Sequence, residues 1–175
     1  TQFIPGQVRG RIDETAQMAL RLDTAIAEVP LPNGQRSDAF ARAERAAWEE
    51  TGEAYRPALL ADVPLIPAHT ALLTTTVYHG SNPPGIVDIV PSESPRPAGW
   101  TAALVIVDGL IGQAVDDGIC QRFSHVPGMP ELLLRAVSYR RYVNDLHSES
   151  RSNTRSHIER VEQHLVSRAS AILER

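Results

Sequence analysis

Two Asp-Gly steps, Asp108-Gly109 and Asp117-Gly118, punctuate the apolar residues between Ala102 and Phe123. Few local signals narrow the available folds as much. Asp-Gly between apolar runs is the strongest short-range mark of a β-hairpin, because a type I′ turn needs positive φ at both central positions. Ala102–Val107, Leu110–Val115 and Ile119–Phe123 therefore read as three strands of a meander. The competing reading makes Thr101 to Val115 a buried helix; Gly109 and Gly112 oppose it, since an interior helical glycine costs roughly 1 kcal/mol relative to alanine.

Upstream, Leu72 to His79 is β-branched and aromatic, Ser81 to Gly85 is a turn cluster, and Ile86 to Val90 is a second strand, so the pair predicts a hairpin. Pro91 to Gly99 carries three prolines and two serines and is expected to be an exposed loop. Pro127, Gly128 and Pro130 close the region.

Helical spacing marks the flanks. Met18, Leu22, Ala25, Ile26 and Val29 predict a helix from Asp13, as its cap, to Val29, stopped by Pro30, Pro32, Asn33 and Gly34. Ser37 is the expected cap of a second helix, with Phe40, Ala43, Ala47 and Trp48 as its apolar stripe. Glu44, Glu49, Glu50 and Glu53 form its wet side, and Gly52 or Pro57 its end. Pro130 and Glu131 open a third helix, along which Leu132, Ala136, Tyr139, Val143 and Leu146 recur. Ser148 to Asn153 interrupts it. A last helix begins near Ser156 or one turn earlier, with Ile158, Val161, Leu165 and Ile172 on one side and Arg168 breaking the seam. The predicted fold is α+β and a single domain over 1–175. It comprises a helical hairpin (1–55), a five-stranded antiparallel sheet region (56–130) and two carboxy-terminal helices (131–175).

Composition closes several chemistries. All 17 basic residues are arginine. Without lysine there is no P-loop amine, no kinase third-strand lysine and no Schiff-base nucleophile. Cys120 is the one cysteine, so no internal disulfide forms. No apolar run reaches the length of a membrane span, and the amino terminus shows no signal-peptide pattern, which makes the cytoplasm the expected compartment. Six Arg face nine acids in 1–55, three face six in 56–130, and eight face six in 131–175. The mildly basic tail is too weak a charge for a nucleic-acid footprint, and the contrast fits self-association or a protein partner.

Five groups merit weighing as sites. Tyr78-His79-Gly80-Ser81 at a strand end is similar to the NAD-contacting segment of some ADP-ribosyltransferases. That resemblance implies a transferase, yet the strands from Ala102 to Phe123 hold no Glu to complete it. Asp88, among Ile86, Val87, Ile89 and Val90, is either a base or ion-pair member or a charge guarding an edge strand. Cys120 and His125 form a weak thiol–imidazole pair. His157 and His164 lie seven apart, and with no HExxH, ExxH or CxxC no metal is expected. Arg140, Arg141 and Tyr142, with Arg151 and Arg155, form the densest basic region and are the expected partner-binding residues.

These observations point to a non-enzymatic assembly or protein-interaction component, part of a homo-oligomer or of a multi-protein particle such as a phage. It needs no cofactor, metal or membrane. Two alternatives stand beside it: a sensor cupping a small molecule between Leu72–Val90 and Ala102–Phe123, and an NAD-using transferase or hydrolase built on His79 and Asp88.

Overall fold

The computed structural model describes residues 5–30, 36–54, 62–146 and 152–173. In chain order the elements are α1 (Pro5–Ile26), α2 (Ala39–Ala54), β1 (Leu65–Ile66), α3 (Leu72–Thr75), β2 (Thr76–Val77), β3 (Gly85–Ile86), β4 (Arg96–Pro97), α4 (Trp100–Ile111), α5 (Ile119–Arg122), α6 (Met129–Asp145) and α7 (Ser152–Leu173). Helices dominate. Among the described residues the strands form only two ladders of two, β1 with β4 and β2 with β3. The expected five-stranded sheet is absent.

The main correction concerns the predicted meander. Its first two strands are the single helix α4, and the third is the short α5. Every residue from Trp100 to Val107 is at most 1% exposed. A helix apolar on all sides belongs at the centre of a bundle, and α1, α6 and α7 all pack against this one. Periodicity cannot separate a fully buried strand from a fully buried helix, because neither needs a polar face. Each Leu, Ile or Val so buried contributes roughly 1.5–3 kcal/mol of transfer free energy. That exceeds the few tenths by which β-branched residues disfavour a helix.

Gly109 shows why the turn signal misled. Its residue does not turn the chain but lets α1 touch α4. A Cβ at that position would stand 2.7 Å from Ile12 Cγ2 and 3.1 Å from Val115 Cγ1. Asp108, the other half of the supposed turn, pairs bidentately with Arg140 of α6 at 2.6 and 2.8 Å. The helix ends four residues later than a turn at 108–109 would require, in a Schellman motif. Gln113 N donates to Leu110 O (3.1 Å) and Ala114 N to Gly109 O (2.8 Å). Gln113 takes the left-handed φ of 54° that this motif demands. The second Asp-Gly step does turn the chain: Asp116 Oδ1 accepts Gly118 N–H at 2.9 Å ahead of α5.

Smaller corrections follow at the helix ends. The first helix starts at Pro5, so Asp13 is interior and pairs with Arg122 at 2.8 and 3.0 Å instead of capping. The cap of α2 is Asp38, not Ser37: its Oδ1 accepts Ala41 N–H at 3.0 Å. That bond, more than any other influence, holds the Asp38 carboxyl below its usual range. The last helix starts at Ser152, one turn before Ser156, and Ile158, Val161 and Leu165 are buried under it. The side chain of Ile172, and the residues Pro32, Asn33, Gly34, Pro57 and Arg151, lie outside the described residues.

Candidate interaction surface

From Pro64 to Ala98 the chain runs out and back as one irregular hairpin, here called the arm. At its base Ala98 N donates to Pro64 O (2.9 Å), and Leu65 and Ile66 lie opposite Pro97 and Arg96. In the middle Ser92 N donates to Ala68 O (2.8 Å), His69 bridges Pro91, and Thr70 N donates to Val90 O (2.8 Å). Towards the tip Val87 N donates to Thr75 O (2.9 Å), and Thr76 and Val77 face Ile86 and Gly85. The predicted hairpin is therefore real at 76–77 and 85–86, but Leu72 to Thr75 is the helical turn α3, not strand.

The two limbs differ in length at two places. Two steps lead from Ile66 to Ala68, whereas four lead from Ser92 to Arg96 on the return. The surplus there, a bulge around Glu93, pushes the loop into the protein. Five steps lead from Thr70 to Thr75 against three from Val87 to Val90, and this surplus on the outgoing limb is α3.

The bulge overturns the expected exposed loop. Ser92, Glu93, Arg96, Pro97 and Gly99 are all buried. So is Glu44, which the wet stripe of α2 was expected to expose; it is 1% exposed. Glu44 Oε1 accepts Arg96 Nε (2.9 Å) and Trp100 Nε1 (3.2 Å), and Oε2 accepts Glu93 N (2.7 Å). Glu93 in turn receives Arg45 at 2.5 and 3.1 Å. Burial, the largest single influence, raises the Glu93 carboxyl, but the Arg45 and Ser94 hydrogen bonds and the charges of Arg45 and Arg96 together outweigh it and leave it below the usual range. The Arg96 guanidinium lies 4.5 Å and that of Arg135 4.3 Å from the Trp48 ring centre, and Trp48 meets Trp100 edge-on at 5.2 Å. Arg135 is itself neutralised by Glu131 at 2.7 and 3.1 Å.

Three further anchors fix the arm. His69, 1% exposed, has Nδ1 accepting Ala71 N (3.2 Å) and Nε2 3.0 Å from Asp88 O. Because a carbonyl can only accept, the proton sits on Nε2 and the ring is neutral. Burial pushes its pKa down in keeping with that state. The His69 amide donates to Thr101 Oγ1 at 3.0 Å, and Arg140 Nη2 donates to Thr70 O at 3.1 Å. At the tip Tyr78 and Thr15 hydroxyls meet at 2.5 Å, while Arg11 donates to Gly80 O at 2.5 Å and covers the Tyr78 ring at 4.9 Å.

Among the residues the arm leaves uncovered are three apolar ones on one face. Side chains alternate across a strand, so buried Thr76 and half-buried Ile86 face the core and Val77, Gly85 and Val87 face away. Val77 is 53%, Val87 66% and Ile89 63% exposed.

The residues singled out from sequence fall elsewhere. Arg140 is spent on Asp108, Arg141 on Glu50 (2.7 and 2.8 Å), and Arg155 on Asp145 (2.8 Å). Tyr142 is half-buried against the core, its ring 5.1 Å from the Arg141 guanidinium. His79 is exposed, with Nδ1 3.4 Å from Asn82 Nδ2. Asp88 is exposed and its Oδ1 accepts Ile89 N at 2.8 Å. From the Thr76–Ile86 pair, His79 lies three positions toward the tip and Asp88 two toward the base, on opposite sides of the ladder, and no hydrogen bond joins them. Cys120 is buried, which raises its thiol pKa, while His125 is exposed and stacked on Phe123. His157 reaches Gln113 (3.4 Å) and His164 lies 3.8 Å from Asp117. Among the described residues no three His, Cys, Asp or Glu are grouped to hold a metal ion, and no helix is long and apolar enough to cross a membrane.

Comparison of the chain with models of known families, with curated proteins and with solved structures finds no match.

Proposed function

We propose that this chain is a non-enzymatic interaction component, in the cytoplasm or in a particle assembled there, and that it meets its partner through the outer face of the arm. The partner first in line is a second copy of the chain. The observation that carries the reading is the trio Val77, Val87 and Ile89, each more than half exposed on a ribbon whose inner side is packed. An apolar face on a rigid, anchored element is what an interaction site presents before it is covered. The guanidiniums of Arg140, Arg141 and Arg155 are engaged by carboxylates of the same chain, which leaves the apolar face as the main uncommitted feature. The sensor reading loses the sheet that was to form one wall of its cup, because Ala102 to Ile111 is packed helix.

Light scattering across a concentration series, on the wild type and on the double variant Val87→Thr/Ile89→Thr, tests this. Threonine keeps the β-branched shape and removes apolar surface. The expected result is a self-association weakened by about tenfold or more, roughly 1.4 kcal/mol, with an unchanged circular dichroism spectrum. A wild type that stays monomeric up to millimolar concentration, or an oligomer indifferent to the substitutions, would sink the proposal.

A further inference from the structure

Asp23, on the inner side of α1, is 5% exposed. Its Oδ2 accepts the Gly99 amide at 2.7 Å, so a side chain of α1 caps the start of α4. That amide is held in place: Gly99 has a φ of 99°, and a Cβ there would come to 3.0 Å from Val126 and 3.1 Å from Leu132. The other oxygen, Oδ1, is buried and has no hydrogen-bond partner.

Among the described residues no cation stands by. On α1 itself Arg21 and Glu28 are exposed. From α4 come the Gly99 amide and the Thr101 hydroxyl, while its carboxylate, Asp108, is near the far end on Arg140. On α6 Glu131 is tied to Arg135, and on α2 Glu44 is tied to Arg96. Among the described residues Asp23 has no guanidinium partner. A buried carboxylate with one amide, one neighbouring hydroxyl and no counter-charge is better off protonated, because desolvation penalises only the charged form and here outweighs both donors.

We infer that Asp23 is a proton-linked cap: the chain takes up a proton at this carboxyl on folding, and the α1–α4 joint is firmer in mild acid than at neutral pH. Burial drives the group from 3.8 up to about 6, with the Gly99 bond pulling the other way. The folded state thus binds the proton roughly a hundredfold more tightly. Its contribution is complete below the unfolded pKa, declines as pH rises through the interval between the two values, and is gone above the folded one. His69 works in the opposite sense. Its pKa is lowered from 6.5 by burial, so it costs stability as pH falls below that value. A bulk stability curve mixes the two.

Carbon-13 NMR titration of the wild-type Asp23 carboxyl separates them, together with urea unfolding of wild type and Asp23→Asn across the acid-to-neutral range. Asparagine keeps an acceptor for Gly99 and cannot ionise. The expected carboxyl midpoint is near 6, and the wild-type folding constant divided by that of the variant should fall roughly fiftyfold to a hundredfold from acid to neutral pH. A carboxyl midpoint below about 4.5, close to an ordinary Asp, or a ratio indifferent to pH, would overturn the inference. Should the variant not fold, the wild-type carboxyl titration decides alone.

Discussion

The tripeptide Ile-Val-Asp occurs twice in this chain, at 86–88 and at 106–108, and the two copies have opposite fates. In α4, Ile106 and Val107 are wholly buried and Asp108 grips Arg140. In the arm, Val87 lies two-thirds exposed on an extended ribbon, and Asp88 caps the amide of the residue after it. The difference lies in the flanks. Pro83, Pro84 and Gly85 precede the first copy and Pro91 follows it three residues on. Prolines lack a donor and push the preceding residue out of helical space, leaving a stretch far shorter than an isolated helix needs. The second copy follows Trp100-Thr101-Ala102-Ala103-Leu104-Val105, where no proline intervenes and every side can be buried. The two regions are accordingly held by different forces: the centre by apolar area, the arm by a few buried charges and hydrogen bonds.

That contrast can be broken most sharply at Glu44. Glu44→Ala leaves Arg96 buried without its best partner and the Glu93 amide without an acceptor, for which a loss of about 3–5 kcal/mol is expected. Hydrogen exchange should show it first in the arm, at the Thr70, Val87 and Ser92 amides, with α4 and α6 retaining more protection than the arm. Uniform loss of protection would mean that the arm and the bundle are one cooperative unit.

Gly109→Ala probes the centre. Helix propensity favours alanine by up to about 1 kcal/mol, but the new methyl must displace Ile12 Cγ2, which branches from a stiff χ1 and cannot swing away. Overpacking of about 1–3 kcal/mol should win, giving a net loss of up to about 2 kcal/mol in urea unfolding. A stabilised variant would show that α1 rides loosely on α4. Gln113→Gly is the smallest expected effect, and of opposite sign. Glycine occupies the left-handed C′ position without the Cβ penalty, so a gain of about 0.5–1 kcal/mol is expected in thermal or urea unfolding.

The flanking helices were legible in part: Ala43 and Ala47 in α2, and Ile158, Val161 and Leu165 in α7, are buried as their spacing implies, whereas Phe40 is exposed and α1 buries Ile12, Ala16 and Ala19 in place of the expected stripe from Met18 to Val29. The centre was not legible, since a segment apolar in every direction carries no period. Asp108-Gly109 then supplied a turn signal that belonged to an ion pair and a helix contact. The arm's buried charges were hidden for a related reason. Glu44 is one glutamate among several on α2, and only the arrival of Arg96, Trp100 and the Glu93 amide singles it out. Asp23 gave no local sign at all.

Composition and spacing alone determined that lysine chemistry is closed, that no internal disulfide can form, and where the amphipathic helices and proline-bounded extended segments lie. These are properties of single residues and near neighbours. Which face of the arm stays bare, which arginines are spent internally and which carboxyls are buried were decided only in three dimensions. Each depends on a group brought from a distant part of the chain, and desolvation and pairing energies do not exist until that group arrives.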